Sequence, residues 1–356
     1  MKRKAFASLL ILWLAVPTLV AIGFVGLTKA NGYIAPERLP MGQAYIRSNG
    51  DVEPPTLPIQ RLGNGYALTN NIVNYSIEIQ KDNVILDGNG YSLTFRPMGK
   101  EDNPWSEKTA DPAIRIINKN NVIVKNVTFD NYITGSFTGV EVENSSNIII
   151  MNTTVKNELG VSIRSSTCCS YIGNEITNEG VGIGIFDSTF INLAYNEISK
   201  NRYIGATIGS VSYSNITRNN IIDNAEAGII LHGSNFDNCI FENNFVNNEV
   251  GLLYRGDSNI SANDKIFNNY WHNNQWNIQN TNDKGMPYVA VADHSPLTSP
   301  ISTSFDPSLF PLPSLSSTST SEPFPTTLVA AASGAVVIIG VGLQVYLKKR
   351  KESRGP

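Results

Sequence analysis

The chain has little charge for its length. Of its 356 residues only 16% are Asp, Glu, Lys or Arg, and the formal net charge is −3. A protein that binds nucleic acid needs a basic surface to meet the phosphate backbone, so this composition predicts no nucleic-acid partner. Cysteine and histidine are also scarce, with three residues of each. The chain therefore has few of the side chains that hold a soft metal ion.

Asparagine is almost absent from the two ends of the chain and abundant between them. The sequence contains 42 asparagines, of which 40 fall between Asn64 and Asn282. Asparagine is a poor helix former and is depleted in ordinary strands. A segment that interleaves it with Ile and Val needs a fold that uses Asn at turns. Helical bundles and doubly wound α/β folds are therefore disfavoured.

Two registers of residues repeat through the centre of the chain. A glycine followed by an apolar-x-apolar triplet recurs at intervals of 21, 22, 23, 23 and 23 residues, at Gly139, Gly160, Gly182, Gly205, Gly228 and Gly251. An asparagine follows each glycine by 13 to 17 residues, at Asn152, Asn174, Asn196, Asn219, Asn243 and Asn268. Two registers with one period indicate an internal structural repeat.

The period predicts an all-β fold, a right-handed parallel β-helix in which each repeat forms one coil. Equivalent residues of such a solenoid stack ~4.8 Å apart along the axis. The first and third positions after each glycine are expected to point inward and form apolar ladders. The asparagines are expected at tight turns, where their amides bond to the coils above and below. We expect about nine coils between residues 64 and 282.

Both ends of the chain are predicted to direct it to a membrane. Lys2, Arg3 and Lys4 precede an uncharged apolar run, a pattern typical of a signal peptide cleaved after Ala30, with an uncleaved anchor as the alternative. Residues 327–347 are uncharged and long enough for one transmembrane helix, and the basic tail that follows places the C-terminus in the cytoplasm. Residues 295–326 contain ten Ser, five Thr and seven Pro, which favours an extended stalk.

These features divide the chain into six predicted parts. They are a signal peptide or anchor (1–30), an N-terminal cap segment (31–63), the β-helix with its C-terminal cap (64–294), the stalk (295–326), the transmembrane helix (327–347) and a basic cytoplasmic tail (348–356). The ectodomain is expected outside the cell. Six sequons mark candidate glycosylation sites, compatible with export, at Asn74, Asn126, Asn144, Asn152, Asn215 and Asn259.

Several segments resemble a known family. The opening 45–55, the segment Val84-Ile85-Leu86-Asp87-Gly88, the closing Asn269-Tyr270-Trp271 and residues 285–297 look like archaeal surface proteins of the NosD-like β-helix group. The resemblance covers about residues 44 to 300 and implies the same fold at the cell surface. It also implies two activities to test, because the family name comes from a copper-binding accessory protein and the same coils resemble sugar-binding and sugar-cleaving proteins. Fold alone does not decide between them.

The residues give little support for copper. Cys168 and Cys169 lie three repeats before Cys239, which corresponds to ~14 Å along the axis and exceeds the reach of a disulfide. His232 lies three coils beyond the cysteine pair, and His272 and His294 lie near the predicted cap. No first coordination shell emerges, so we predict neither a metal site nor a cofactor.

The fourth position after each glycine should point outward and form a stripe along the axis. Its members, with two acidic residues just beyond the stripe, are the candidate ligand-binding residues Glu143, Arg164, Phe186, Asp187, His232, Arg255 and Asp257. The coil spacing of ~4.8 Å approximates one sugar unit, so a glycan could lie along the stripe. Asp187 and Asp257 are three coils apart, too far for the pair of carboxylates that a hydrolase needs. A lyase could combine Arg164 with Asp187 or Glu143.

The sequence therefore favours a membrane-anchored module for recognition or structure over an enzyme. Its expected partners are the membrane and a polysaccharide or surface glycoprotein. A surface polysaccharide lyase or hydrolase is the alternative, and a NosD-like accessory of a copper enzyme is the third reading.

Overall fold

The computed structural model describes residues 42–95, 111–131, 138–156, 160–177, 180–255, 264–281, 293 and 295–306. All of the regular structure in these residues is β. The first ten strands are β1 Gly42–Ile46, β2 Val52–Glu53, β3 Ile59–Leu62, β4 Gly65–Leu68, β5 Ile72–Val73, β6 Tyr75–Ile79, β7 Val84–Asp87, β8 Ser92–Phe95, β9 Ile114–Ile117 and β10 Asn120–Lys125. The next ten are β11 Thr128–Asn131, β12 Val140–Glu143, β13 Ser146–Met151, β14 Thr154–Lys156, β15 Val161–Arg164, β16 Ser170–Ile172, β17 Glu175–Thr177, β18 Val181–Phe186, β19 Asn192–Ala194 and β20 Glu197–Ser199. The last ten are β21 Ile204–Gly209, β22 Asn215–Thr217, β23 Asn220–Ile222, β24 Ala227–His232, β25 Cys239–Phe241, β26 Asn244–Val246, β27 Val250–Arg255, β28 Lys265–Phe267, β29 Tyr270–His272 and β30 Trp276–Thr281.

The strands form three long sheets that wind into a right-handed parallel β-helix, as the repeat predicts. Sheet A has eleven strands in the order β2-β1-β6-β9-β12-β15-β18-β21-β24-β27-β30. Sheet B has ten, from β28 back through β4 to β3, and sheet C has nine, from β29 back to β5. From β4 to β30 the chain visits the sheets in the constant order B, C, A. Each such triplet is one coil.

The interior consists of stacked apolar ladders. The first and third residues after each repeat glycine are 2% exposed or less, which confirms the inward positions predicted from the sequence: Val140 and Val142, Val161 and Ile163, Ile183 and Ile185, Ala206 and Ile208, Ile229 and Leu231, Leu252 and Tyr254. Burial of one such side chain contributes about 1.5–3 kcal/mol. The contacts between these buried side chains of successive coils therefore hold the described part of the solenoid together.

The repeat glycines lie where successive coils approach most closely. A Cβ atom on Gly182 would lie 2.6 Å from the carbonyl oxygen of Gly205, and one on Gly228 would lie 2.6 Å from that of Gly251. Backbone atoms at this distance cannot move aside cheaply. The glycine register in the sequence therefore reports close packing between coils.

An asparagine ladder runs along the corner between sheets B and C. Asn219 shows the pattern: its Oδ1 accepts hydrogen bonds from the backbone N and the Nδ2 of Asn196, both 2.9 Å, and its Nδ2 donates to the carbonyl of Leu193 at 2.9 Å. The members of this Asn ladder are Asn174, Asn196, Asn219, Asn243 and Asn269. They are 2% exposed or less. Buried amides that pair in this way satisfy the backbone of the turns that they occupy.

The predicted asparagine register is wrong at its two ends. Asn152 and Asn268 precede the ladder and have left-handed backbones, with φ of 50° and 56°. The ladder positions beside them belong to Thr153 and Asn269. Each turn needs a left-handed residue followed by a residue that bonds between coils. Because Asn suits both roles, its presence alone does not say which role it takes.

Shorter ladders line the other two corners. Asn201, Asn224, Asn248 and Asn274 bond in succession between sheets C and A. Between sheets A and B, the backbone N of Ser214 donates to Asn238, and Asn238 donates to Asp264. Two of the series end at an aspartate. The series from Ser214 ends at Asp264. The Asn ladder ends at Asp293, which accepts hydrogen bonds of 2.9 and 3.0 Å from Asn269.

The ends of the solenoid differ from the predicted boundaries. β1 falls in the segment predicted as the N-terminal cap, yet it pairs in parallel with β6 as a strand of sheet A. The antiparallel strands β2 and β3 close this end. At the other end residues 295–306, part of the predicted stalk, lie along the coils: Leu297 bridges to Tyr270, and the backbone of Ile301 exchanges two hydrogen bonds with the side chain of Asn244.

The predicted membrane segments, 1–30 and 327–347, lie outside the described residues. The part of the chain that is described contains no helix with the length and apolar character needed to cross a membrane.

Candidate functional site

The outward stripe predicted from the sequence is present on sheet A. Strand pairing places Glu143 beside Arg164, Arg164 beside Phe186, and His232 beside Arg255, with Gly209 between Phe186 and His232. These six positions stand in line, one per coil, at the ~4.8 Å spacing of neighbouring strands. We call the five side chains Glu143, Arg164, Phe186, His232 and Arg255 the charged stripe.

Arg164 and Phe186 form the first contact within the stripe. The guanidinium carbon of Arg164 lies 4.8 Å from the centre of the Phe186 ring, within the range of a cation–π interaction. The Nε of Arg164 also donates a hydrogen bond of 3.2 Å to the hydroxyl of Ser162. These two contacts hold an exposed cation over an aromatic ring.

Phe186 and His232 meet across the missing side chain of Gly209. Their ring centroids lie 5.7 Å apart at an interplanar angle of 51°. A Cβ atom on Gly209 would lie 2.5 Å from Cε1 of His232 and 3.0 Å from the Phe186 ring. Glycine at this position therefore allows two rings from alternate coils to touch and form one surface.

The surroundings of His232 favour its neutral form. Burial lowers the pKa of His232 below its usual value, and the positive charge of Arg255 lowers it further, while Asp187 acts in the opposite direction. A neutral imidazole offers one hydrogen-bond donor and one acceptor. It can therefore pair with a hydroxyl group in either sense.

Of the two acidic candidates beside the stripe, the structure describes Asp187 and not Asp257. Asp187 follows β18 directly, in an exposed turn with a left-handed backbone of φ 50°. Its place one residue beyond Phe186 puts a carboxylate at the edge of the stripe. Asp257 lies outside the described residues, so its position stays a prediction.

A second row of side chains, which the sequence did not reveal, lies at the corner between sheets A and B. Phe190, Tyr213 and Phe236 are 39%, 47% and 38% exposed. The rings of Phe190 and Tyr213 stack with centroids 5.4 Å apart, and Phe236 meets Tyr213 edge-on at 5.1 Å. We call these three residues the corner aromatics. All three occupy the eighth position after a repeat glycine, a signal that was available in the sequence.

Sheet C carries a pair of neighbouring carboxylates. Glu175 and Glu197 occupy paired positions on β17 and β20. They line a cavity of about 310 Å³ together with Tyr195 and with Thr303 of the 295–306 segment. Neither glutamate belongs to the predicted candidates.

Five of the six candidate sequons are described. Asn144 and Asn152 are exposed, and Asn74 and Asn126 are half-buried. Asn215 is only 8% exposed, which makes its side chain a poor acceptor for a bulky glycan. Asn259 lies outside the described residues.

Comparison with known proteins places the chain among β-helix proteins. The family model described as "Periplasmic copper-binding protein (NosD)" matches residues 73–292. No curated protein sequence is similar enough to match the chain.

Solved structures of low sequence identity are similar to the chain. A periplasmic alginate epimerase, AlgG, is 14% identical, with 64% of this chain and 68% of that one covered and a TM-score of 0.35. The surface adhesin PfbA of Streptococcus pneumoniae is 13% identical, with 64% and 79% covered and a TM-score of 0.38. The A-module of the Azotobacter vinelandii mannuronan C-5 epimerase AlgE4 is 13% identical, with 75% and 90% covered and a TM-score of 0.36.

The described residues do not fit a copper site. Nowhere in the described ranges do three or more His, Cys, Asp or Glu side chains gather closely enough to hold a metal ion. Cys169 belongs to the core, where burial raises the pKa of its thiol to about 12 and opposes the thiolate that a metal needs. Burial likewise raises the pKa of the Cys239 thiol.

Proposed function

We propose, on the premise that this chain belongs to the NosD family, that it is a membrane-anchored extracellular module that binds polysaccharide along its charged stripe. The observation that carries the proposal is the row from Arg164 through Phe186 and His232 to Arg255, in which Gly209 alone contributes no side chain and lets the rings on either side of it meet. The row combines an aromatic face, cations and a neutral imidazole at a spacing of ~4.8 Å per coil. A chain of sugar units along the axis could meet one such group at every step except the one at Gly209.

The test is a binding measurement with the full-length protein, purified in mild detergent, against a panel of neutral and acidic polysaccharides. The double substitution Arg164→Gln with Phe186→Ala is expected to weaken binding about tenfold, or ~1.4 kcal/mol, because it removes both the cation and the ring beneath it. The matched control is Arg202→Gln with Tyr203→Ala. That pair is another exposed cation and aromatic ring, located at the corner between sheets C and A, and its loss should leave the affinity unchanged.

Equal affinities for the stripe variant and the wild type would contradict the proposal. Every bound polysaccharide is also analysed for cleavage, with and without calcium. Cleavage would favour the second candidate, a surface polysaccharide lyase or hydrolase. The observation that favours this second candidate is the pair of neighbouring carboxylates, Glu175 and Glu197, that line one cavity.

The proposed location rests on residues 327–347 as the anchor. Deletion of residues 327–356 is expected to release the protein from the membrane fraction into the medium, because the remaining C-terminal part has no apolar run of spanning length. Cell fractionation followed by immunoblotting measures this release. The matched control removes only the basic tail, 348–356, and should leave the protein in the membrane fraction. Retention of the 327–356 deletion in the membrane would show that residues 327–347 are not needed for anchoring and would favour the uncleaved N-terminal segment, 1–30, as the anchor.

A further inference from the structure

Two of the corner aromatics combine an exposed ring with a backbone conformation that is costly for a bulky residue. Phe190 and Tyr213 have left-handed backbones, with φ of 55° and 53°. Bulky side chains rarely adopt this conformation, whereas Asn and Gly adopt it readily. The rings remain 39% and 47% exposed, so burial does not compensate the strain. Tyr195 and Arg218 have left-handed backbones at another corner, so the row of exposed rings, rather than the backbone alone, is the reason to look for a function.

The same corner position in earlier coils shows what the fold alone prefers. The residues that occupy it there are Asn83, Asn121, Asn147 and Cys168, with φ of 58°, 57°, 55° and 54°. In the coil after Tyr213 the left-handed residue is Asp237, with φ of 54°, and Phe236 stands one place earlier. Asparagine is thus a native solution to this turn. Aromatic residues replace it in two successive coils, and a third ring is added in the next.

The row stands close to polar groups that could serve the same ligand. Each corner aromatic lies four residues beyond a stripe position, since Phe190 follows Phe186 and Phe236 follows His232. The hydroxyl of Thr189, next to Phe190, lies 3.0 Å from that of Thr167 in the preceding coil. Aromatic carbon beside hydroxyl and charged groups suits a ligand with both apolar faces and polar edges.

The shape of the row favours a linear ligand over a folded protein. Three rings at steps of 5.4 and 5.1 Å span about 10 Å along one convex corner, one ring wide. A stable protein interface buries about 800 Å² on each partner. The corner aromatics alone fall well short of that area, whereas their step approximates one sugar unit.

We propose that Phe190, Tyr213 and Phe236 form a second sugar-binding surface, parallel to the charged stripe, that holds rings of the same linear polysaccharide. This inference rests on the proposed function. It adds that the ligand extends around the corner from sheet A towards sheet B, along the axis, over the three coils that carry the corner aromatics.

The test compares the wild-type chain with the double variant Phe190→Asn and Tyr213→Asn. Because Asn is the native residue at this turn in three other coils, the variant is expected to fold with an unchanged or higher midpoint of thermal unfolding. Its affinity for the polysaccharide selected by the panel is expected to fall at least tenfold. The control Tyr203→Asn removes a ring that is 54% exposed at a different corner and should leave the affinity unchanged.

A second measurement reads the site directly in the wild-type protein. Tyr213 and Tyr203 are both exposed and should be nitrated by tetranitromethane at similar rates. Bound polysaccharide is expected to protect Tyr213 and not Tyr203, as measured by peptide mass spectrometry. This readout does not depend on the folding of any variant.

The outcomes separate this inference from the proposed function. If the Arg164 and Phe186 variant loses binding while the Phe190 and Tyr213 variant binds within twofold of wild type, the corner surface is refuted and the stripe stands. If the wild type binds no polysaccharide of the panel, both are refuted. If the Asn substitutions instead turn an oligomer into a monomer in sedimentation velocity and leave sugar binding intact, the corner is a protein contact and the inference is overturned.

Discussion

Replacing Asn219 by alanine is expected to destabilise the solenoid by about 3–5 kcal/mol. The side chain is fully buried and makes four hydrogen bonds of 2.9 Å, two accepted from Asn196, one donated to Leu193 and one donated to Asn243. Alanine leaves the backbone N of Asn196 and one hydrogen of its Nδ2 unpaired in the interior, and it removes one donor from the carbonyl of Leu193. Each buried group that loses its partner costs about 1–3 kcal/mol.

Urea and thermal unfolding of the full-length variant measure this loss. The matched control is Asn220→Ala, the next residue along the chain, which is half-buried and accepts one hydrogen bond of 2.8 Å from Asn244. It should cost about 1 kcal/mol or less. If the two variants unfold with midpoints that cannot be distinguished, the Asn ladder does not carry the stability that its geometry implies.

The sequence was sufficient to predict the fold because the repeat imposes the same constraint on every coil. The glycine register marks close contact between coils, as Gly182 and Gly228 show. The residues one and three places later must then point inward, because side chains alternate along a strand. Alternation also places the fourth residue outward, which is why the charged stripe from Glu143 to Arg255 could be predicted from the spacing alone.

The turns were predicted less well because turn residues are chosen by backbone conformation, which spacing does not reveal. The residue that precedes each ladder position has a positive φ, and it is Gly173, Tyr195, Arg218 or Glu242 in four successive coils. No single residue type marks this position. Asn152 and Asn268 were therefore assigned to the ladder although they occupy the position before it.

The corner aromatics were missed for a related reason. A phenylalanine or tyrosine between strands is usually read as a packing residue, and only the structure shows that Phe190 and Tyr213 are exposed and have left-handed backbones. The path of residues 295–306 could not be predicted either. Their Ser, Thr and Pro content is typical of a stalk, yet Phe305 packs against Tyr195 and Ile301 bonds to Asn244.

The charged stripe and the corner aromatics stay aligned only if the coils that carry them stay in register. Phe186, Tyr213 and His232 come from three different coils, so their alignment requires that no coil slips past its neighbour. A slip of one residue would turn outward groups inward. The buried asparagines at the corners prevent this slip, because each amide bonds to one coil on either side. The proposed polysaccharide site is therefore as rigid as the turns that support it.

Replacing Asp264 by asparagine is expected to stabilise the protein at neutral pH and to flatten its dependence on pH. Asp264 ends the series that begins at Ser214, and its Oδ1 accepts hydrogen bonds from the backbone N and the Nδ2 of Asn238 at 2.9 and 3.1 Å. Its Oδ2 is buried, with no hydrogen-bond partner among the residues that the structure describes. Burial raises the pKa of this carboxyl from 3.8 to about 6, and the nearby charge of Asp237 adds to the rise.

The direction of the pH effect follows from proton binding. The folded protein holds the proton of Asp264 more tightly than the unfolded chain does, so stability is fully present below about pH 4 and is lost as the pH rises through 6. The difference of about 2 pH units, at ~1.36 kcal/mol each, corresponds to a loss of about 3 kcal/mol by pH 7. An asparagine keeps the Oδ1 acceptor and cannot ionise. The variant should therefore be about as stable as wild type at pH 4 and more stable at pH 7.

Urea unfolding at a series of pH values between 4 and 7.5 measures this difference. The matched control is Asp223→Asn, an exposed aspartate with a left-handed backbone whose Oδ1 accepts a hydrogen bond of 2.8 Å from Asn247. Asparagine suits that position equally well, so the control should follow the wild-type pH profile. Parallel profiles for the wild type and the Asp264→Asn variant would show that the buried carboxyl is already ionised at the lowest pH, because something outside the described contacts stabilises its charge.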